Sequence, residues 1–161
     1  MGATRAESGG KPRKKLIAIA SAGGHWVQLR RLSPAFEPYD TQYITTLPGA
    51  EAPSGTRPVK WIADASRSEP FRLLKSALQM AFIILRFRPD VLITTGAAPG
   101  YMALQIGKLL GARTIWIDSI ANADHLSMSG RLARRCSDLW LTQWEHLTEL
   151  HPGLQFYGKV I

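Results

Sequence analysis

A chain of 161 residues, 45% of them hydrophobic, is long enough for one buried core and too short for two of ordinary size. Its net charge of +8 is lopsided, because Arg5, Lys11, Arg13, Lys14 and Lys15 crowd the first fifteen positions against Glu7 alone. One cysteine, Cys136, excludes a disulfide framework and a thiolate metal cluster, and the longest uncharged apolar run, Ser76–Leu85, is about half a bilayer span.

Residues 1–15, basic and carrying Gly and Ser, read as a disordered tail, with the folded domain over 16–161. Such a tail either touches anionic lipid or nucleic acid, or serves only as a solubilising arm. Leu16–Ala22 runs into glycines too soon for a signal-peptide core, and a reducing cytoplasmic compartment fits the cysteine usage.

In chain order, Leu16–Ala20 is a buried type of strand that breaks at Ser21-Ala22-Gly23-Gly24-His25. Trp26, Leu29 and Leu32 then share one helical face. This turn lacks both the GxGxxG fingerprint and the Gly-Lys-Ser/Thr of a P-loop, yet it stands where α/β folds place a ligand loop. Tyr43–Thr46 is the second strand, 48–58 a mobile loop, and Val59–Ile62 a third strand. Ser68-Glu69-Pro70 opens a helix through Phe87, ended by Arg88-Pro89. Apolar residues cover most of its circumference. It is read either as packed between the sheet and a neighbour, or as an interfacial patch whose basic ends meet anionic lipid.

The stretch from Pro89 to Ser119 is the organising unit. Val91–Thr95 is a strand, Gly96–Gly100 a turn, the next segment to Leu110 a helix with Pro99 first and Gly111 as its stop, and Thr114–Ile117 a strand. Strand, helix and strand in this order predict a right-handed βαβ unit whose turn presents backbone N–H groups to an anion. Asp118 to His125 is a polar loop at a strand end. Arg131, Arg134 and Arg135 stand at i, i+3 and i+4 of a short helix, as a solvated face or a phosphate or lipid contact. Asp138–Thr142 and Phe156–Ile161 are the last strands. Six or seven strands alternating with four or five helices predict an α/β fold, a Rossmann-like, doubly wound and mostly parallel sheet.

Three segments, Ser21–His25, Thr95–Gly100 and Asp118–Asn122, together with Leu126–Gly130 and Gln143-Trp144-Glu145, occur in one order along the chain. In this they resemble the membrane-recruiting subunit of the two-component N-acetylglucosaminyltransferase of dolichol-linked oligosaccharide synthesis. The resemblance extends to bacterial relatives in capsule and exopolysaccharide synthesis, and it covers the chain from about Leu16 onward. It implies the N-terminal half of a GT-B glycosyltransferase, which holds the acceptor, while a companion chain binds the nucleotide sugar. The eukaryotic subunit has a membrane-spanning segment before its first strand; here the basic tail stands in that place, so attachment is expected to be peripheral, at the inner face of the plasma membrane.

On that resemblance the expected reaction is inverting transfer of a sugar to a polyprenyl-diphosphate-linked acceptor in cell-surface polysaccharide synthesis. His25 is the first candidate base, since imidazoles titrate near neutral pH; the alternative is a histidine that only hydrogen-bonds locally at a helix start. Asp118 is the second, as base or as orienter of His25, against a role as helix or turn cap. Gly23, Gly24, Gly96 and Gly100 are expected to cradle the diphosphate, and Ser119 and Asn122 to bind the acceptor. Trp144, Phe156 and Tyr157, with Leu147 and Leu150, form the expected docking surface for the companion, or are core. No cofactor or metal is expected, because the Asp-x-Asp pattern is missing and His146 and His151 are five apart. The competing functions are a non-catalytic adaptor that recruits the transferase, and a nucleic-acid module, which only the basic balance supports.

Overall fold

The computed structural model describes residues 12–64 and 69–160. Seven strands form one sheet: β1 (Lys15–Ala20), β2 (Asp40–Thr45), β3 (Lys60–Trp61), β4 (Val91–Thr94), β5 (Arg113–Ile117), β6 (Leu139–Thr142) and β7 (Gln155–Phe156). Their spatial order is β3-β2-β1-β4-β5-β6-β7, and every pair is parallel. The crossovers carry α1 (Gly24–Arg31), a 3-10 turn (Ser33–Phe36), α2 (Pro70–Phe87), α3 (Ala97–Leu109), α4 (Met128–Ala133) and α5 (His146–Leu150). This is the Rossmann-like architecture expected, with every described strand parallel.

Alternation along β1 divides the core in two. Ile17 and Ile19 pack with Met80 and Ile84 of α2 and with Ala103 and Leu104 of α3. Leu16, Ala18 and Ala20 face the opposite layer, where Trp26, Leu29 and Tyr43 meet them. Burial on both faces explains why β1 is a continuous apolar run rather than an alternating one. Cover on the second face is uneven: α1 and the 3-10 turn lie on that side, but Val91, Ile115, Leu139 and Leu141 stay half-buried. Between β5 and β6, Asp138 accepts from the Thr114 N–H at 2.9 Å and Oγ1 at 3.0 Å and pairs with Lys108, which holds its carboxyl below the ordinary aspartate range. Cys136 is buried, which pushes its thiol pKa up.

Several boundaries differ from the sequence reading. Helix α3 starts at Ala97, so Pro99 is its third residue and not its first; its missing N–H is still one of the four without an intrahelical partner. Gly111 stops that helix with φ +82°, as expected. Helix α4 ends at Ala133 with Arg134 as its C-cap, so only Arg131 of the three arginines lies within it, and all three are exposed. The Arg134 guanidinium stands 6.0 Å from the Trp140 ring centroid. The last strand is two residues long, and Gly158 leaves the extended region at φ +109°. The expected helix opener Ser68, the terminal Ile161 and tail residues 1–11 lie outside the described residues, and β1 already includes Lys15. Helix α2 is not enclosed between sheet and neighbour, since only Ser76, Met80 and Ile84 of its 18 residues are buried.

Gly100 also has a different job from the one expected. It is buried, and a Cβ placed on it would lie 2.0 Å from Thr94 Oγ1, so it exists for close packing of α3 on β4 and does not face a ligand. Gly100→Ala is therefore expected to lose about 1–3 kcal/mol in denaturant unfolding. Gly24→Ala, where nothing lies within 4 Å of the added carbon, should stay within about 0.5 kcal/mol of the parent.

Candidate functional site

The chain runs from β1 to β2 on one side and places β4 on the other, so the carboxyl ends of β1 and β4 form the sheet's switch point. Loops diverge there and leave a crevice, the usual ligand position in open α/β sheets. The crevice has a volume of about 390 Å³ and is lined by His25, Ala97, Ser119, Asn122, Ser127 and Ser129 among others. Four segments converge on it: the start of α1, the start of α3, the loop after β5 and the start of α4.

His25 is half-buried, and its Nδ1 lies 2.8 Å from the Thr95 carbonyl oxygen. A carbonyl only accepts, so Nδ1 carries the proton and a neutral ring keeps its lone pair on Nε2. Thr95 returns the contact, its hydroxyl donating to the His25 carbonyl at 2.7 Å. The imidazole stands directly over Gly96: a Cβ there would be 2.6 Å from ring Cε1 and 2.8 Å from Nδ1. The place of Gly96 in the expected diphosphate cradle is thus taken by the His25 ring, whose seat is the missing side chain. Gly96 has φ +131°, and the next residue, Ala97, has φ +66°, an uncommon left-handed value for alanine at the wall of the crevice. Gly23 and Gly24 are exposed and open at the start of α1, immediately before His25.

Asp118 takes up neither catalytic role suggested for it. It is 1% exposed and accepts from four donors: Ser127 Oγ at 2.7 Å, the Ser127 N–H at 3.0 Å, Trp116 Nε1 at 3.3 Å and Asn122 Nδ2 at 3.3 Å. A carboxylate has about four acceptor sites, so none is left for a substrate proton. Nor does it orient His25, whose ring is held by Thr95. Its work is to fold the 118–130 loop. Ser127, fixed by Asp118, caps α4 by accepting from the Gly130 N–H at 2.8 Å, and Gly130 must be glycine because a Cβ there would be 2.7 Å from Asp118 Oδ1.

The same loop is tied from its other side. Gln28 Oε1 accepts from the Ile120 N–H at 3.4 Å, Gln143 Nε2 donates to the Asp118 carbonyl at 2.9 Å, and Trp144 Nε1 donates to the Ile120 carbonyl at 2.8 Å. Trp144 is half-buried, with the Lys159 ammonium 4.0 Å from its ring centroid, so it braces the site rather than forming a free docking surface. Leu147 belongs to the core, while Leu150 and Tyr157 are exposed and Phe156 is half-buried on the terminal strand. His25, Ser119 and Asn122 line the same crevice. Ser127, Ser129 and Thr95 were not anticipated as site residues; a serine three residues before Gly130 is a cap signal, but Thr95 has no local mark.

The family model described as "Oligosaccharide biosynthesis protein Alg14 like" matches residues 58–160. The UDP-N-acetylglucosamine transferase subunit ALG14 of Candida albicans is 35% identical over 92 residues, which cover 53% of this chain and 42% of that protein. The protein of the same name from Homo sapiens is 27% identical over 187 aligned residues, covering 93% of this chain and 85% of its own length. The chain thus spans about two fifths of the Candida protein. Among solved structures, MurG of Acinetobacter baumannii superposes with a TM-score of 0.63 at 13% identity, over 81% of this chain and 42% of MurG. At that identity the likeness speaks to fold alone.

If Asp118 is a structural hub, Asp118→Asn sets an amide N–H₂ against donors and is expected to cost about 1–3 kcal/mol of stability. Chemical denaturation of the isolated chain measures this; an unchanged midpoint would return Asp118 to the list of chemical groups.

Proposed function

Because the chain belongs to the Alg14-like family of oligosaccharide biosynthesis proteins, we propose that it is the acceptor-side subunit of a split, inverting glycosyltransferase. The observation that carries the reading is His25, with Nδ1 committed to the Thr95 carbonyl and the ring lining the crevice. In the proposed step Nε2 takes the proton of an acceptor hydroxyl. That oxygen bonds to the anomeric carbon of the donor while the bond to the nucleoside diphosphate breaks. Serine and amide groups of Ser119, Asn122, Ser127 and Ser129 suit the hydroxyls of a sugar acceptor. The open backbone of Gly23 and Gly24 suits the diphosphate of a polyprenyl carrier, with Gly96 closed beneath the His25 ring and Gly100 removed from this role.

The nucleotide sugar is assigned mainly to a companion chain, and this chain is given no cofactor or metal of its own. Support for a companion comes from the half-buried Val91, Ile115, Leu139 and Leu141 on the thinly covered sheet face and from exposed Tyr157 beside Phe156. The polymer is proposed to be a lipid-linked oligosaccharide or a cell-surface polysaccharide of the capsule or exopolysaccharide type, made at the cytoplasmic membrane face. No described helix is long and apolar enough to cross a membrane, so attachment is proposed to be peripheral.

One observation favours the adaptor as a second reading: of the two candidate catalytic side chains, only His25 reaches the crevice. Reconstitution with the companion separates the two. His25→Ala should reduce kcat at least about a hundredfold, with KM for the acceptor moving much less. Near-parental kcat with intact association would make the chain an adaptor.

A further inference from the structure

The outer face of α2 is an unpartnered apolar stripe that carries five of the exposed large hydrophobic residues. Phe71, Leu74, Leu78, Phe82 and Leu85 are 87%, 58%, 62%, 69% and 54% exposed. Their spacing of three, four, four and three places them in one arc of about 80° at 100° per residue, running about 21 Å along the helix. Lys75 and Arg86, also exposed, and Arg72, paired with Glu69 at 3.0 Å, occupy the next arc, and no carboxylate stands anywhere on the 18-residue helix.

At the C-terminal end of this stripe lies a cavity of about 410 Å³, slightly larger than the crevice and remote from it, whose lining includes Phe82, Phe87, Lys15, Arg57, Lys60 and Arg86. Two of these cations are already engaged. Lys15 Nζ donates to the Phe87 carbonyl at 3.2 Å, and Arg57 grips Asp40 through two bonds of 2.7 and 2.8 Å. Both also flank the Phe87 ring, at 5.5 and 5.3 Å from its centroid. The side chains of Lys60 and Arg86 have neither an ion pair nor a hydrogen bond among the described residues and face the same space. An apolar stripe that ends in a cationic cavity matches a phospholipid: acyl chains on the stripe, phosphate in the cavity.

We propose that the outer face of α2 docks on an anionic phospholipid bilayer, with the Lys60–Arg86 cavity taking up a headgroup phosphate. The stripe is too short to span and lies in the plane of the interface, its apolar arc among the acyl chains and its cationic arc at phosphate level. Charge argues against the other occupants. A second copy would bring two cationic flanks together with no carboxylate between them. A protein partner would need an acidic rim around an apolar groove. Docking by this face also has a consequence for the crevice. Helix α2 leaves the cleft end of the sheet after β3 and returns to the opposite end before β4, so it runs antiparallel to the strands. Laying it flat brings the crevice to the edge of the bilayer, within reach of a diphosphate anchored by a polyprenyl chain. That consequence rests on the glycosyl-transfer reading; the membrane contact does not.

Cosedimentation of the full chain with phosphatidylcholine vesicles, with and without about a third phosphatidylglycerol, tests the proposal. Binding to the anionic vesicles should exceed binding to the neutral ones at least about tenfold and fall with added salt. The double variant Leu78→Glu, Phe82→Glu should lose at least about tenfold in binding to both, and Lys60→Glu, Arg86→Glu should remove the anionic preference. All four side chains are exposed, so unchanged circular dichroism and melting confirm that each variant is folded. Turnover on a water-soluble, short-chain acceptor with the companion present should be parental in both variants, which separates this proposal from the catalytic one. Parental vesicle binding by the folded stripe variant would place attachment elsewhere, such as the basic residues before β1, and overturn the proposal. Absence of anionic binding in the parent would do the same, as would a parent that self-associates through the stripe and ignores lipid.

Discussion

Two hydrogen bonds run in opposite directions between the turn after β1 and the turn after β4. The His25 ring donates to the Thr95 carbonyl, and the Thr95 hydroxyl donates to the His25 carbonyl. The partners are 70 residues apart in sequence and adjacent only because β1 and β4 pair at the switch point. This reciprocal clasp closes the bottom of the crevice and fixes the imidazole against Gly96. Without it the histidine would be one more polar side chain at a helix start, free to choose its tautomer. With it, the ring has one orientation and one available lone pair. The clasp is also why Gly96 carries no side chain and why Ala97 accepts a left-handed backbone next to it.

The opposite wall rests on a buried carboxylate. A carboxyl group with 1% exposure is costly unless its lone pairs are met, and Asp118 accepts three hydrogen bonds from the loop that it organises and one from Trp116 of β5. Gln28, Gln143 and Trp144 brace that loop from α1 and from the end of β6. Crevice residues Ser119, Asn122 and Ser127 therefore sit on a loop held at several points, which is how a loop can present polar groups in a defined pattern.

Much of the frame was legible before any coordinates. β1 is an apolar run between a basic segment and glycines, α2 lies between Pro70 and Pro89, and Gly111 marks a left-handed stop; each is a local signal with a local cause. The placement of His25, Ser119 and Asn122 at one end of the sheet followed from the rule that ligand loops leave the carboxyl ends of parallel strands. The rest depended on partners far away in sequence. Asp118 looks the same whether it points into a crevice or into a loop. Gly100 looks like a phosphate-loop glycine until Thr94 is seen against it, and Trp144 looks like a docking aromatic until its indole N–H finds Ile120. For α2 the difficulty was different: its buried and exposed faces are both apolar, so periodicity did not say which one faced the sheet.

In the proposed reading, one oriented imidazole and a floor of hydroxyl and amide groups are completed by a donor-binding counterpart, and the half-buried residues over β4–β6 support that proposal. Fold likeness to MurG does not decide the reaction, and the proposed reaction rests on the orientation of one imidazole. Nitrogen-15 NMR of the His25 ring, in the chain alone at a pH where the ring is neutral, reads that orientation directly. The clasp with Thr95 predicts a protonated Nδ1 and a pyridine-type Nε2. A protonated Nε2, or two nitrogens averaged as in a free imidazole, would contradict it.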